Sequence, residues 1–140
     1  MQSSFTIETN GQGLYEFTRE VTAWVAASGV DAGLLTLFIR HTSASLLIQE
    51  NADPDVQRDL RAWFGRLVPP GDDPAMAYLR HTIEGPDDMP AHIKAAMMPV
   101  SLSIPVSGGH PLLGTWQGIY LFEHRDAPHR RTVAAHLLTT

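Results

Sequence analysis

The chain has 140 residues, 44% apolar and 18% charged, with a net charge of −5 when its histidines are neutral and no cysteine. That composition fits one globular domain, residues 1–140, able to bury roughly two thirds of its unfolded surface. It excludes disulfides and thiolate metal sites and argues against broad electrostatic binding to nucleic acid or an anionic membrane. In chain order, the first stretch, MQSSFTIETN, lacks the basic-then-apolar pattern of a secretory leader, and no later apolar run is long enough to span a bilayer. A reducing cytoplasm suits such a cysteine-free chain.

SSFTIET, with Phe5 and Ile7, reads as a strand. Leu14, Phe17, Val21, Trp24 and Val25 are spaced as one face of a helix, which Gly29 would stop. GLLTLFIRHTSASLLIQE predicts two strands with a break between His41 and Ala44. A second helix opens at Asp53, a good N-cap, with Pro54 at its first position and Asp55 at the positive end of its dipole. Val56, Leu60, Trp63, Phe64 and Leu67 form its apolar stripe, and Pro69-Pro70 ends it. GDDPAMAYLRHTIEGPDD predicts a loop with a short strand or turn around Tyr78 to Thr82, and MPAHIKAAMM a short third helix capped by Asp88 or Met89. VSLSIPV, TWQGIYLFEH and RRTVAAHLLT then read as antiparallel strands. Helices early and strands late predict an α+β fold rather than alternating βαβ units. Trp24 and Trp63 are expected in the core.

Four polar groupings stand out. Arg40-His41-Thr42-Ser43 follows an apolar strand, where side chains often line sites, although on local sequence alone a strand end with a surface histidine and a hydroxyl-rich turn is the simpler reading. Glu50 and Asn51 precede the second helix and are not needed to cap it. HTIEGPDDMPAH brings His81, Glu84, Asp88 and His92 together in sequence. His92 falls near a helix start, where the dipole disfavours an imidazolium, and a neutral imidazole can bind a metal or accept a proton. A metal needs at least three converging ligands. His41, His81 and His92, with Glu84 or Asp88, offer nitrogen and oxygen donors suited to zinc, manganese, nickel or iron(II). The alternative is three unrelated histidines. Finally, GGHPLLGTWQGIYLFEHR places Thr115 and Gln117 where they could hydrogen-bond a ligand, but it lacks the lysine of a phosphate loop. There is no G-x-S-x-G elbow or dinucleotide fingerprint, and Ser43 or Ser45 beside His41 is weak evidence for a hydrolase. Of the remaining histidines, His124 could line an interface, His110 reads as solvated, and His129 and His136 read as surface or sheet residues.

Three stretches, HTSASLLIQENADPDV at 41–56, HTIEGPDDMPAHIKAA at 81–96 and LGTWQGIYLFEHR at 113–125, together resemble the YjbQ family of small proteins. The resemblance implies an α+β fold with a mixed or antiparallel sheet and about three helices, a homotrimer, and a shared polar pocket. Carried over residue by residue, it implies His41, His81 and His92 as the pocket histidines, with Glu84 and Asp88 as its acids. Thr115, Gln117 and Arg125 are implied as ligand contacts. Some members are named for a secondary thiamine-phosphate synthase activity, which requires cationic stabilisation of a departing pyrophosphate. Arg40, Arg80 and Arg125 are the candidate anion binders, because Lys94 is the only lysine. Two classes of function follow. One is a metal-assisted enzyme on a small phosphorylated or heterocyclic substrate, using a divalent ion such as zinc. The other is a trimeric protein that binds a metabolite or anion without turnover.

Overall fold

The computed structural model describes residues 1–139. Along these residues the elements run β1 (Gln2–Asn10), β2 (Gly13–Glu16), α1 (Thr18–Ala27), β3 (Gly33–Ile39), β4 (Ala44–Glu50), α2 (Pro54–Leu67), a 3-10 turn (Pro74–Met76), α3 (Asp88–Met97), β5 (Ser101–Ser107), β6 (His110–Pro111), β7 (Gln117–Glu123) and β8 (Pro128–Thr139). The α+β expectation holds, as one domain with three helices. The sheet is entirely antiparallel in its pairings rather than mixed, and it is two sheets: β1-β8-β3-β5-β6 and β2-β7-β4.

The period-two pattern of the strands decides what lies between the sheets. β3 turns Leu35, Leu37 and Ile39 inward, β5 adds Ile104 and Val106, and β8 adds Val133, Ala135 and Leu137. From the other sheet Leu46, Ile119 and Leu121 meet them, and α1 closes the core with Val21 and Val25. Early and late strands are thus interleaved: β8 pairs with β1 through Phe5↔Val133 and with β3 through Leu37↔Ala135.

The same alternation carries one charged side chain inward. Arg131 stands two residues before Val133 on the inner face of β8 and is 4% exposed. A guanidinium there needs a counter-charge, and Glu123, the last residue of β7, supplies it. Arg131 Nε donates to Glu123 Oε1 at 2.8 Å and Nη2 pairs with Oε2. Thr9 Oγ1 on β1 donates to Glu123 Oε1 at 2.6 Å, and Arg131 Nη2 also reaches Ser43 Oγ at 3.0 Å.

Several sequence expectations are corrected. The first helix begins only at Thr18. Leu14 belongs to β2, opposite Phe122, because the chain makes a short strand before it coils. Gly29, at φ +74, follows that helix as expected, in the left-handed conformation glycine tolerates. Tyr78 to Thr82 forms no strand. Asp53 caps α2 through its side chain, accepting from Asp55 N at 2.9 Å. Yet no residue of α2 is buried, and Trp63 is 58% exposed. Phe64 turns inward to meet Phe122 edge-on at 5.8 Å, and Gln57 Nε2 donates to the buried Tyr120 hydroxyl at 2.8 Å. Trp24 does pack on the core, edge-on to Phe5.

Removing one partner of the buried ion pair leaves the other uncompensated. Glu123→Gln is therefore expected to lower unfolding stability by about 3 to 5 kcal/mol, read from urea denaturation at neutral pH.

Candidate functional site

The HTIEGPDD loop is tied to the segment that follows α2 by a backbone hydrogen bond. Gly71 N donates to Pro86 O at 2.7 Å, and Gly85 takes φ +99, so the chain reverses sharply between Glu84 and Asp87. α3 begins at Asp88, two residues before Pro90, and Asp87 at its N-cap makes no side-chain cap bond. This early start places Asp88 and His92 four residues apart, stacked on one helix face. His92 therefore lies one full turn into the helix, beside an acid, rather than at the helix entrance.

Around Asp88, which is buried, the polar groups converge. His81 Nε2 donates to Asp88 Oδ2 at 2.6 Å and lies 3.4 Å from Glu84 Oε2. His92 Nε2 lies 3.2 Å from the same Asp88 Oδ2. One ligand atom from each of His81, Glu84, Asp88 and His92 lies within 4.8 Å of every other. Arg125, just beyond β7, backs the acids: its Nη1 donates to Asp88 Oδ1 at 2.6 Å, its Nε to Asp87 Oδ2 at 2.8 Å and its Nη2 to Glu84 O at 3.2 Å.

Charge and hydrogen bonding set the states of these groups. Burial pushes the Asp88 carboxyl up, but its bonds with His81 and Glu84 and the charge of Arg125 outweigh it and hold the group below the ordinary range. Asp87 follows the same balance: burial raises it, and Asp126 N and Arg125 lower it further. The hydrogen bond to Asp88 raises His81 above the usual imidazole value. His92 Nδ1 faces Thr42 O at 2.9 Å, and a carbonyl only accepts, so the ring hydrogen of a neutral His92 sits on Nδ1. Its Nε2 then presents a lone pair to a carboxylate oxygen, acceptor against acceptor. A cation or a second proton between them relieves that opposition.

The other expected residues are placed differently. His41 stands outside the cluster: its Nε2 accepts from Thr132 N at 2.9 Å, and with His92 it lines a separate cavity of about 280 Å³ beside Thr42 and Val100. Burial, then the charge of Arg131, lowers its pKa. The convergence expected of three imidazoles is therefore met by two. Arg40 is exposed, and its side chain makes no hydrogen bond among the described residues. Arg125 has its guanidinium engaged by Asp87, Asp88 and the Glu84 carbonyl. Gln117 Oε1 is taken by Gly114 N at 2.7 Å, and Thr115 is exposed. Both lie at the far end of β7 from Arg125, and β7 is about 20 Å long at the rise of an extended chain.

Sequence reasoning assigned His124 no role here, yet it is buried beneath the site. Its Nε2 shares a 2.8 Å hydrogen bond with Ser45 Oγ, while its Nδ1 has no partner among the described residues. Ser45 thus pairs with His124 rather than His41, in a position no substrate reaches. The available signal was the apolar run of β7, which marks the segment as buried but cannot specify a partner on β4.

Comparison with known proteins agrees with this architecture. Residues 3–140 match the sequence model of the family described as UPF0047 protein YjbQ-like. A UPF0047 protein of Synechocystis is 51% identical over 136 residues, covering 97% of this chain and 90% of that protein. The UPF0047 protein YjbQ of Escherichia coli is 41% identical over 137 residues, covering 97% and 96%. A crystal structure of a YjbQ/UPF0047 protein from Clostridium acetobutylicum aligns with a TM-score of 0.84 at 34% identity over 97% of this chain and 99% of that one. A hypothetical protein from Aeropyrum pernix aligns with a TM-score of 0.87 at 29% identity, over 100% and 99%.

Burial, with the charge of Lys94, pushes His124 down to about 3, against 6.5 in the unfolded chain. Between those values the unfolded chain binds a proton that the folded chain does not, so stability falls as pH drops through this window. The slope attributable to this group approaches about 1.4 kcal/mol per pH unit. His124→Phe is expected to reduce the loss between pH 6.5 and 5 by about 1.5 kcal/mol relative to the unsubstituted protein, measured by urea unfolding at both pH values.

Proposed function

For a chain that belongs to the YjbQ-like UPF0047 family, we propose a metal-assisted enzyme acting on a small phosphorylated or heterocyclic substrate. The observation that carries this reading is the opposed pair at its centre. His92 Nε2, its tautomer locked by Thr42 O, meets the shared Asp88 carboxylate at 3.2 Å, with His81 and Glu84 completing a compact nitrogen-oxygen set.

The donor set fits a divalent ion. Donors about 2.0 to 2.2 Å from zinc in a tetrahedral site lie about 3.4 Å from one another. The 3.4 Å His81–Glu84 and 3.2 Å His92–Asp88 separations match that spacing, while His81–Asp88, at 2.6 Å, is drawn in by the proton between them. Metal binding displaces such a proton. His81, Asp88 and His92 would hold the ion. The bond from His92 to Thr42 O and the clamp of Arg125 on Asp88 orient two of these ligands from behind. Such an ion supplies charge stabilisation at phosphoryl oxygens and the leaving group.

Glu84 is the exposed member, on the loop that Gly85 turns, so it is suited to yield its place to a substrate and to carry a proton. A cavity of about 290 Å³ opens beside His81, walled by Leu79, Pro86, Met89 and Pro90, and suits a flat heterocycle. A transfer like that of thiamine-phosphate synthase is one reaction of this class. His41 and Arg40, on the far side of His92, are retained as contacts for the remainder of the substrate. The exposed apolar side chains of Trp63, Leu67 and Trp116 support a homotrimer, in which Thr115 and Gln117 would act through a neighbouring subunit. A cytoplasmic location belongs to the same proposal. No helix among the described residues is long and apolar enough to cross a membrane.

A second reading, a binding protein without turnover, is favoured by one observation: the cluster contains no hydroxyl or thiol nucleophile, and Ser45 is buried against His124.

Metal analysis of the purified protein, with pyrophosphate release assayed with and without a chelator, separates the two. Asp88→Asn is expected to lose the metal. His81→Ala and His92→Ala are each expected to lower kcat/KM by roughly 100-fold or more. Undiminished turnover in both histidine variants sinks the catalytic assignment, and a retained metal with no turnover of any phosphorylated substrate favours binding.

A further inference from the structure

A strand at the edge of an antiparallel sheet turns the N–H and C=O of every second residue away from its partner, and proteins guard such edges with lysine, proline, bulges or a covering segment. Of the outer strands here, β6 has two residues and ends in Pro111, and β2 has only four. β4 is covered in part, with Leu46 N donating to Pro99 O at 3.0 Å. β1 has no such guard. It pairs only with β8, without interruption from Gln2↔His136 to Asn10↔Pro128, so no bulge turns the edge aside. It contains no lysine or proline, and among the described residues nothing beyond β8 bonds to the backbone of residues 3–8.

Alongside that edge runs a groove of about 410 Å³, bordered by all of residues 4–8. Consecutive side chains of a strand point to opposite faces, so a groove bordered by five in a row follows the backbone edge rather than either face. Its far wall is Glu16, Phe17 and Glu20, from the end of β2 and the start of α1. With Glu8 this gives three carboxylates, and no cation lines the groove. Glu8 is met from outside by the exposed Arg130, whose Nε donates to Oε1 at 2.7 Å. Glu16 accepts only from neutral groups, Thr18 Oγ1 at 2.7 Å and Asn51 Nδ2 at 3.1 Å. Glu20 accepts no side-chain hydrogen bond among the described residues. Arg19 lines a neighbouring cavity with Glu16 and Glu20 but forms no ion pair with either.

We propose that the free edge of β1 docks an extended segment of another protein, one with lysine or arginine at alternate positions, which adds a strand to the five-stranded sheet. The outward N–H and C=O groups of residues 4–8 supply the backbone bonds. On the inner face the cationic side chains lay their stems along Phe5 and Ile7 and set their charged heads at Glu16 and Glu20. On the outer face small side chains meet Ser4 and Thr6. A second copy of this chain is a poorer occupant, because pairing through the same edge sets these carboxylates against one another in a chain of net charge −5. The edge shares no residue with the His81–His92 cluster, and the inference stands without the metal-assisted reading.

The test is amide hydrogen exchange, read by NMR on 15N-labelled full-length protein. The probes are two short synthetic peptides, one alternating threonine with lysine and one alternating threonine with glutamate. The lysine peptide is expected to slow exchange of the outward β1 amides about 10-fold at roughly ten times its Kd, and the glutamate peptide to leave them unchanged. Glu20→Lys, on the exposed side of α1, is expected to weaken binding of the lysine peptide by about 5-fold. No slowing in β1 with the lysine peptide overturns the proposal, as does equal slowing by both peptides or undiminished affinity in Glu20→Lys. Outward β1 amides that are already protected in the protein alone, and lose that protection on dilution, identify a second copy as the occupant and overturn it too.

Discussion

Glu123 and Arg131 are two charges on strand faces that otherwise hold Ile, Leu, Val and Ala, and the polar half of this molecule is arranged around them. Their ion pair ties the end of β7 to the inner face of β8. Through Thr9 it reaches β1, and through Ser43 it reaches the segment between β3 and β4. That segment carries the Thr42 carbonyl to His92, and Glu123 is followed directly by His124 and Arg125. The residues that position the candidate site from below thus share one buried anchor. A buried pair is seldom the most stable way to fill such a space. Here it brings chain segments from three strands into one fixed geometry, which apolar packing alone would leave less strictly defined.

Above that anchor, Asp88 is the shared element. One oxygen is held by Arg125 and the other faces two imidazoles. A carboxylate used from both sides cannot rotate, so the imidazoles meet it at defined atoms. The Thr42 carbonyl then selects which nitrogen of His92 faces inward. Fixed tautomers and fixed carboxylate oxygens are what a metal or a proton-transfer step requires, because neither tolerates much reorganisation at the moment of use. Arg125 also serves the loop, since its third contact holds the Glu84 carbonyl while leaving the Glu84 side chain in solvent.

The two cavities flanking Pro86 to Pro90 differ in character. The one beside His81 is walled mostly by apolar groups, whereas the one beside Lys94 presents Gln12, three carboxylates (Asp72, Asp87 and Asp126) and the ammonium. The prolines between them are rigid and carry no backbone donor. α3 therefore presents Asp88 and His92 on one side and Lys94 on another, a consequence of the 100° advance per residue of an α-helix.

The sequence by itself determined the local elements whose causes are local. Asp53-Pro54 start α2, Gly29 follows α1, and the alternation of Leu35, Leu37 and Ile39 makes a strand with a buried face, because capping, backbone freedom and side-chain period act within a few residues. It also marked His81, Glu84, Asp88 and His92, which are near neighbours along the chain. Tertiary structure alone decided the rest. That Leu14 joins a strand depends on the edge offered by β7, and that Trp63 stays outside depends on what packs over α2. His41 looked equivalent to the other histidines in sequence but was drawn away by Thr132 N, and His124 gained its role only from Ser45 and the burial around it. These outcomes rest on contacts between residues dozens of positions apart, and hydrophobic pattern encodes which side of a strand is buried without encoding which partner waits there.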